Sequence, residues 1–301
     1  MAVWRGYREI RDAGGWAALV FAGMGIYRFC KYRAGFGEAS MRKLRLCRER
    51  FEVAADTLHP SWRQLLTIVG ETETQPRFEG HPHDWVVHPD GGKPSPLRLT
   101  YLDVDPSFSF EHVDECILDV DAWGADDPRW MPPSPGAAAD ICLTCGMRQD
   151  DDVQLNNCSC FPTLFPGPKT RPPVQVFHTL TGKRNGVQAL TPFPRGTAIG
   201  EFVGLVTAGM RDLDVMVAER GGREYQIWQG RLGNFTRFVN HSCRANAQFQ
   251  GFVWRGTQRV VLVSKGVEAG EEITVDYSER YWKGLNKKCL CGEACCRYNG
   301  R

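Results

Sequence analysis

The sequence predicts an α+β protein: a mostly helical N-terminal region, then a compact β-rich part whose flanks carry metal-binding cysteines. Three observations predict it. Before residue 70, apolar side chains recur at helical spacing. From about residue 174, short runs of strand-forming residues alternate with glycine turns. Eight of the twelve cysteines fall into two groups with metal-ligand spacing.

Length and charge bound the rest. With 301 residues, 42% of them hydrophobic, the chain can bury a real core and has room for two domains. The net charge of +2 does not announce a nucleic-acid binder. No secretory signal precedes the cysteines, so zinc in a reducing compartment is the expectation rather than a disulfide scaffold.

Ala13 to Tyr27 is uncharged and mostly apolar, but it is shorter than the ~20 residues a spanning helix needs. It reads as a buried helix, not a membrane span or signal peptide. From Ser40 to Leu58, Leu44, Cys47, Phe51, Ala55 and Leu58 mark the apolar face of a helix. Its basic remainder, Arg42, Lys43, Arg45, Arg48 and Arg50, reads as a solvated face; docking of nucleic acid or an acidic partner is the alternative. Ser61 is placed to cap a short helix through Val69.

Thr72 to Pro96 reads as a loop, and His81, His83 and His88 in it lack the partner spacing of a metal site. Leu97, Leu99 and Tyr101 alternate like a half-buried strand. Nine carboxylates lie between Asp103 and Asp127 with no Lys or Arg among them, a stretch expected to pair with the basic helix. Asp126 to Asp140, with Met131-Pro132-Pro133-Ser134-Pro135-Gly136, is the clearest boundary.

After that linker come Cys142-x2-Cys145 and Cys158-x-Cys160. Two close pairs supply the four thiolates of a tetrahedral zinc site. Val174 to Phe177 and Val187 to Leu190 read as strands around an Arg184-Asn185-Gly186 turn, and Thr197 to Gly204 as another strand. Residues 207–230 look more irregular and more helical, ending in Glu224-Tyr225-Gln226-Ile227-Trp228. Then comes Arg237-Phe238-Val239-Asn240-His241-Ser242-Cys243, followed about thirty residues later by Glu272-Ile273-Thr274-Val275-Asp276-Tyr277. Asn240 and His241 place an amide beside an imidazole, which suits a polar heterocycle with several edges to satisfy. Cys289, Cys291 and Cys296 close the chain and could join Cys243 around a second metal.

RFVNHSC, EITVDY and CLCGEACC stand in the order and spacing of the SET-domain protein lysine methyltransferases, and from about residue 140 onward the chain resembles that family. Asp276-Tyr277-Ser278-Glu279-Arg280-Tyr281-Trp282 is similar to its histone H3 tail branch. The resemblance implies the SET fold, small β-sheets around a knot-like crossing, with zinc-bound flanks. It implies an accessory region at 1–130, a linker and reduced pre-SET zinc segment at 131–172, a SET domain at 173–284 and a post-SET zinc segment at 285–301. The four cysteines at 142–160 are too few for the family's full triangular zinc cluster, so one zinc is expected there and one on Cys243, Cys289, Cys291 and Cys296. The family spacing selects Cys296 over Cys295.

By the same resemblance, Arg184, Asn185, Gly186, Tyr225, Arg237, Phe238, Asn240, His241 and Leu290 hold S-adenosylmethionine. Asn185 replaces the aromatic usual before the glycine, which keeps backbone contacts and removes ring packing on the cofactor. Tyr277, Tyr225 and Tyr281 are the implied catalytic residues, and Phe238 and Trp282 join them as walls of a lysine channel. Substrate is then a protein lysine, with a histone tail as leading class, and the location is nucleus and chromosome. A non-histone substrate, or an idle SET module that recruits partners to chromatin, are the alternatives. Nothing implies a membrane, and direct nucleic-acid binding is left open.

Overall fold

A computed structural model of the protein describes residues 2–21, 23–32, 36–72, 74–132, 138–211, 215–220, 222–283 and 287–298. The chain divides into two compact units, Met1–Pro106 with Gln175–Leu180, and Ser107–Val174 with Thr181–Arg301. The proline-rich boundary read from the sequence falls partly on residues 133–137, which lie outside the described residues.

The first unit is largely helical: α1 Ala2–Phe21, α2 Gly23–Tyr32, α3 Glu38–Leu46, α4 Arg48–Leu58, then a 3-10 helix Pro60–Val69. Of the apolar stretch read as one buried helix, Ala13, Ala17, Ala18 and Ile26 are buried, but Phe21 and Tyr27 are exposed and the stretch is divided between α1 and α2. Ile10, Ala13, Ala18, Ile26, Phe29 and Leu44 form one buried cluster, and Ala17, Ala55, Trp62 and Leu66 a second. No described helix is long and apolar enough to cross a membrane. Close approach of α1 and α2 depends on Gly6, where a methyl group would come within 2.8 Å of Cys30 Cα.

Three local expectations are corrected here. The helix read over 40–58 is broken at Cys47, which closes α3 and opens α4 with ψ near −2°. Pro60 takes the first position of the next helix, so the cap falls to His59 instead of Ser61. Leu97–Thr100 is a 3-10 turn, not a strand, with Leu97 buried, Leu99 turned out and Thr100 Oγ1 bonded to Leu97 O at 2.7 Å.

Asp56 organises this unit. It accepts from Trp62 Nε1 at 2.7 Å, Arg63 Nε and Nη2 at 2.8 and 2.9 Å, and the backbone N–H groups of Arg77 and Phe78 at 2.8 and 3.3 Å. The carboxylate is fully buried beside a guanidinium that is nearly so. Beyond it the chain runs as loop with a short Trp85–Val86 and Ser95–Pro96 pairing. His83 N bonds His81 Nδ1 and His88 Nε2 bonds Ser95 Oγ, so these imidazoles order the loop.

The second unit is built of small sheets. Ile117–Leu118, Leu205–Thr207, Arg223–Trp228 and Val215–Arg220 lie side by side in that order. Val215–Arg220 and Arg223–Trp228 are thus antiparallel strands where the sequence looked more helical: Tyr225 and Ile227 alternate inward, and Gly222 takes a φ of 78°. A second sheet orders Ala247–Trp254, Thr257–Ser264 and Ala198–Glu201. Phe161, Phe165, Phe252 and Trp254 bury a stacked aromatic cluster against it, each side chain contributing roughly 1.5–3 kcal/mol. The acidic residues of this unit find local partners: Asp119 with Thr207, Asp126 with Arg223 and Asp127 with Arg129.

The third sheet positions the motifs. Asn240–His241, Glu272–Val275 and Asn185–Ala189 are neighbours in that order, the first pair parallel and the second antiparallel. Asn240 stands opposite Thr274, and His241 opposite Val275. The two sequence motifs thus become one surface.

Candidate functional site

The Arg184-Asn185-Gly186 segment begins this surface. Asn185 and Gly186 already belong to a strand, and the turn is completed by Arg184, which holds a left-handed φ of 64°. Asn240 Nδ2 donates to Asn185 O at 3.0 Å and to Glu272 Oε1 at 2.8 Å. Lys183 Nζ meets the other oxygen of Glu272 at 2.8 Å. Asn246 holds the Glu272–Val275 strand, with Nδ2 on Glu272 O and Oδ1 accepting Thr274 N–H, both at 2.9 Å.

Tyr277 follows the Glu272–Val275 strand. Its hydroxyl donates to Val239 O at 2.6 Å, and its backbone N–H donates to His241 Nδ1 at 3.1 Å. Because Nδ1 accepts, the neutral ring carries its proton on Nε2, which faces Cys243 Sγ at 3.3 Å. Burial lowers the His241 pKa, against a weaker pull from Asp276, and so favours this neutral form. Asp276 pairs with Arg297; burial acts to raise its pKa, but the guanidinium and Ser278 N–H hold it below the usual carboxylate range.

Aromatic rings gather beside Tyr277. Its ring centroid is 4.7 Å from Tyr281, Tyr281 is 5.1 Å from Trp282, and Trp282 stacks on Tyr298 at 5.0 Å. His241 faces Trp282 at 5.0 Å and Tyr298 at 5.8 Å. Tyr298 was not anticipated; an aromatic two residues after the last cysteine ligand was the available signal.

The other expected residues lie in different settings. Tyr225 is 1% exposed, packs with Val206, Ile227 and Val260, and bonds Gln258 Oε1 at 3.1 Å. Tyr225 thus stands in the core of its sheet with a satisfied hydroxyl. Phe238 is buried against Phe110, and the Arg237 guanidinium lies 5.7 and 5.8 Å from the rings of Phe108 and Phe110. Leu290 is half exposed and approaches Gly182, beside a cavity of about 240 Å³ lined by Thr181, Cys289, Leu290, Gly292, Glu293 and Cys296.

Both cysteine quartets assemble. Cys142, Cys145, Cys158 and Cys160 form one, and Cys243, Cys289, Cys291 and Cys296 the other, with all sulfurs in each within 4.8 Å of one another. Zn–S bonds of ~2.3 Å put the sulfurs of a tetrahedron about 3.8 Å apart. Here Cys142–Cys160 is 3.8 Å, Cys145–Cys158 is 3.6 Å and Cys243–Cys296 is 4.0 Å, so zinc fits. Thr144 N–H points at Cys142 Sγ and Arg297 N–H at Cys243 Sγ, as thiolates require. Burial acts to raise Cys142 and Cys291, yet backbone N–H groups and neighbouring thiols bring both to about 7, while Cys158, Cys160, Cys289 and Cys296 are pushed up in the same clusters. Cys295 stays exposed outside the quartet.

The SET-domain family model matches residues 184–278. The chain thus contains a SET domain. A SET domain-containing protein of Phaeosphaeria nodorum is 59% identical over 99% of this chain and 50% of its own length. Human histone-lysine N-methyltransferase EHMT1 is 34% identical over 38% of this chain and 10% of its own. The chain therefore spans about half of the first relative and a tenth of the second. The methyltransferase domain of human SETMAR resembles it with a TM-score of 0.44 at 19% identity, over 63% of this chain and 88% of that one. The SET domain of this chain thus contains the surface of Asn240, His241 and Tyr277, and residues 1–106 accompany it as a helical unit.

Proposed function

We propose that the protein is an S-adenosylmethionine-dependent protein lysine N-methyltransferase acting on a histone tail in the nucleus. The observation that carries this is Tyr277, whose oxygen is fixed by Val239 O at the meeting point of the aromatic cluster and the Asn240–His241 strand. Histone-lysine methyltransferases among the relatives supply the substrate class.

When bound, S-adenosylmethionine supplies a methyl group on a positively charged sulfur. The residues to hold it are Arg184, Asn185, Gly186, Asn240 and His241, with Arg237 and Phe238 behind them and Leu290 closing from the C-terminal segment. Tyr277, Tyr281 and Trp282, joined by Tyr298, wall the approach of the lysine. Their apolar faces disfavour the charged amine and lower its pKa from ~10.4, which makes the lone pair available. Positive charge on a ring face is also attracted. Tyr277 gives its proton to Val239 O, so its lone pairs are presented to whatever stands in the channel. The remaining task is alignment of the two reacting atoms.

Zinc on each quartet supplies structure, not reaction chemistry. The Cys243 quartet ties the C-terminal segment to the strand carrying Asn240 and His241. Incubating the full chain with isotope-labelled donor and mixed core histones tests the proposal. Label on a histone lysine is the expected result; a wild-type protein that transfers none to any protein lysine rejects it.

A further inference from the structure

The Asn240 side chain has an orientation that its neighbours decide. A carboxamide offers two N–H protons and one carbonyl oxygen. Both protons of Nδ2 face groups that can only accept: the peptide oxygen of Asn185 at 3.0 Å and the carboxylate of Glu272 at 2.8 Å. Reversing the amide would aim its oxygen at two other oxygens. Oδ1 is thereby left as the face Asn240 shows outward, and no bond to it occurs among the described residues.

Glu272 is itself held. Lys183 Nζ contacts its second oxygen at 2.8 Å, and the two side chains are only 11% and 24% exposed. The Glu272 backbone is fixed independently, by its register with Gln188 and by Asn246 Nδ2 on its carbonyl at 2.9 Å. Lys183 directly precedes the Arg184-Asn185-Gly186 segment, so the ring of contacts ties that segment, the strand of Glu272 and Asn240 together. The side chain of Glu272 is therefore not needed to form its strand. It is needed to set the amide.

We infer that Glu272, braced by Lys183, is a positioning residue that orients Asn240 so that only its carbonyl oxygen meets the methyl donor. This rests on the donor-binding reading of Asn240 given above. A ligand atom reaching Oδ1 must carry a proton. Glu272 then governs how tightly the donor binds and leaves the rate at saturating donor alone.

The test uses the full chain and S-adenosylhomocysteine, which binds without turning over, measured by titration calorimetry. Zinc content and melting temperature serve as folding controls. Glu272→Ala should weaken binding about tenfold, the loss of one charge-assisted hydrogen bond. Its kcat at saturating donor should stay within about twofold of wild type while KM for the donor rises. The inference is overturned if Glu272→Ala binds like wild type at an unchanged melting temperature. Should Glu272→Ala not fold, Lys183→Met decides: it keeps the acceptor and removes its brace, and an unchanged dissociation constant overturns the inference. Wild-type protein that takes up no S-adenosylhomocysteine removes the donor-binding reading itself, and the inference with it. Equal binding by wild type and variant removes only the inference.

Discussion

At Tyr277 a single hydroxyl is both a structural donor, to Val239 O, and a polar group of the aromatic cluster. Tyr277→Phe deletes it with little change in volume. Methyl transfer should fall about a hundredfold or more, while loss of the bond lowers stability by only about 1 kcal/mol. Label incorporation and thermal melts separate the two effects. Tyr281 lies 4.7 Å from Tyr277, and on the proposed function it would fill space that a methylated nitrogen needs. Wild type should stop mainly at mono- or dimethyl-lysine, and Tyr281→Phe should move products toward di- and trimethyl-lysine in mass spectra of a peptide driven to completion. An unchanged distribution leaves Tyr281 as packing alone. Asp56 belongs to the other unit and to stability. Burial acts to raise its pKa, but Arg63, Trp62 and the Arg77 N–H prevail and hold it below the ordinary value. A depressed carboxylate adds stability above its unfolded pKa of ~3.9 and loses it as pH falls through the folded value. Denaturant melts followed by tryptophan fluorescence should therefore weaken in acid below about pH 4. Asp56→Ala at pH 7 should cost about 3–5 kcal/mol, because it strands the buried Arg63. Asn240, His241 and Tyr277 were legible as residues because each lies in a contiguous motif. Lys183 and Tyr298 were not, since their meaning comes from partners far away in the chain: Glu272 for one, His241 and Trp282 for the other.

Among elements, the C-terminal segment Cys289–Tyr298 has little regular secondary structure to hold it. Its order depends on the quartet, on the Arg297–Asp276 pair and on Tyr298 against Trp282. Metal analysis should find two zincs per chain, and chelation should loosen this segment and suppress methyl transfer. Cys295→Ser should keep both zincs, whereas Cys296→Ser should lose one. A zinc count that falls with Cys295→Ser contradicts the assignment. The quartets were readable because ligand spacing is written in the sequence. The strand pair Val215–Arg220 and Arg223–Trp228 was not, because Val, Met and Tyr there satisfy either period until a neighbouring strand selects one. The continuous apolar pattern over 40–58 likewise concealed the break at Cys47, whose neighbours on both sides fit a helix.

For the whole molecule, the sequence distinguished a helical beginning from a β-rich remainder because periods of 3.6 and 2 are local properties. It could not show which strands adjoin. The parallel pairing of Asn240–His241 with Glu272–Val275 joins segments some thirty residues apart, and only the fold supplies that. Assembly at this scale also determines what the site lacks. With Nδ1 taken by Tyr277 N–H and Nε2 turned to Cys243, the His241 ring has no lone pair for an arriving proton. Tyr277, already donating to Val239 O, offers no anionic oxygen either. On the proposed function, a lysine ammonium reaching Tyr277 would therefore release its proton to water and not to these two residues. The logarithm of kcat/KM for a lysine peptide should then climb by about one for each pH unit, toward the amine's own ~10.4, for as long as the fold survives. A plateau beginning below the ordinary imidazole range would instead reveal His241 acting as base.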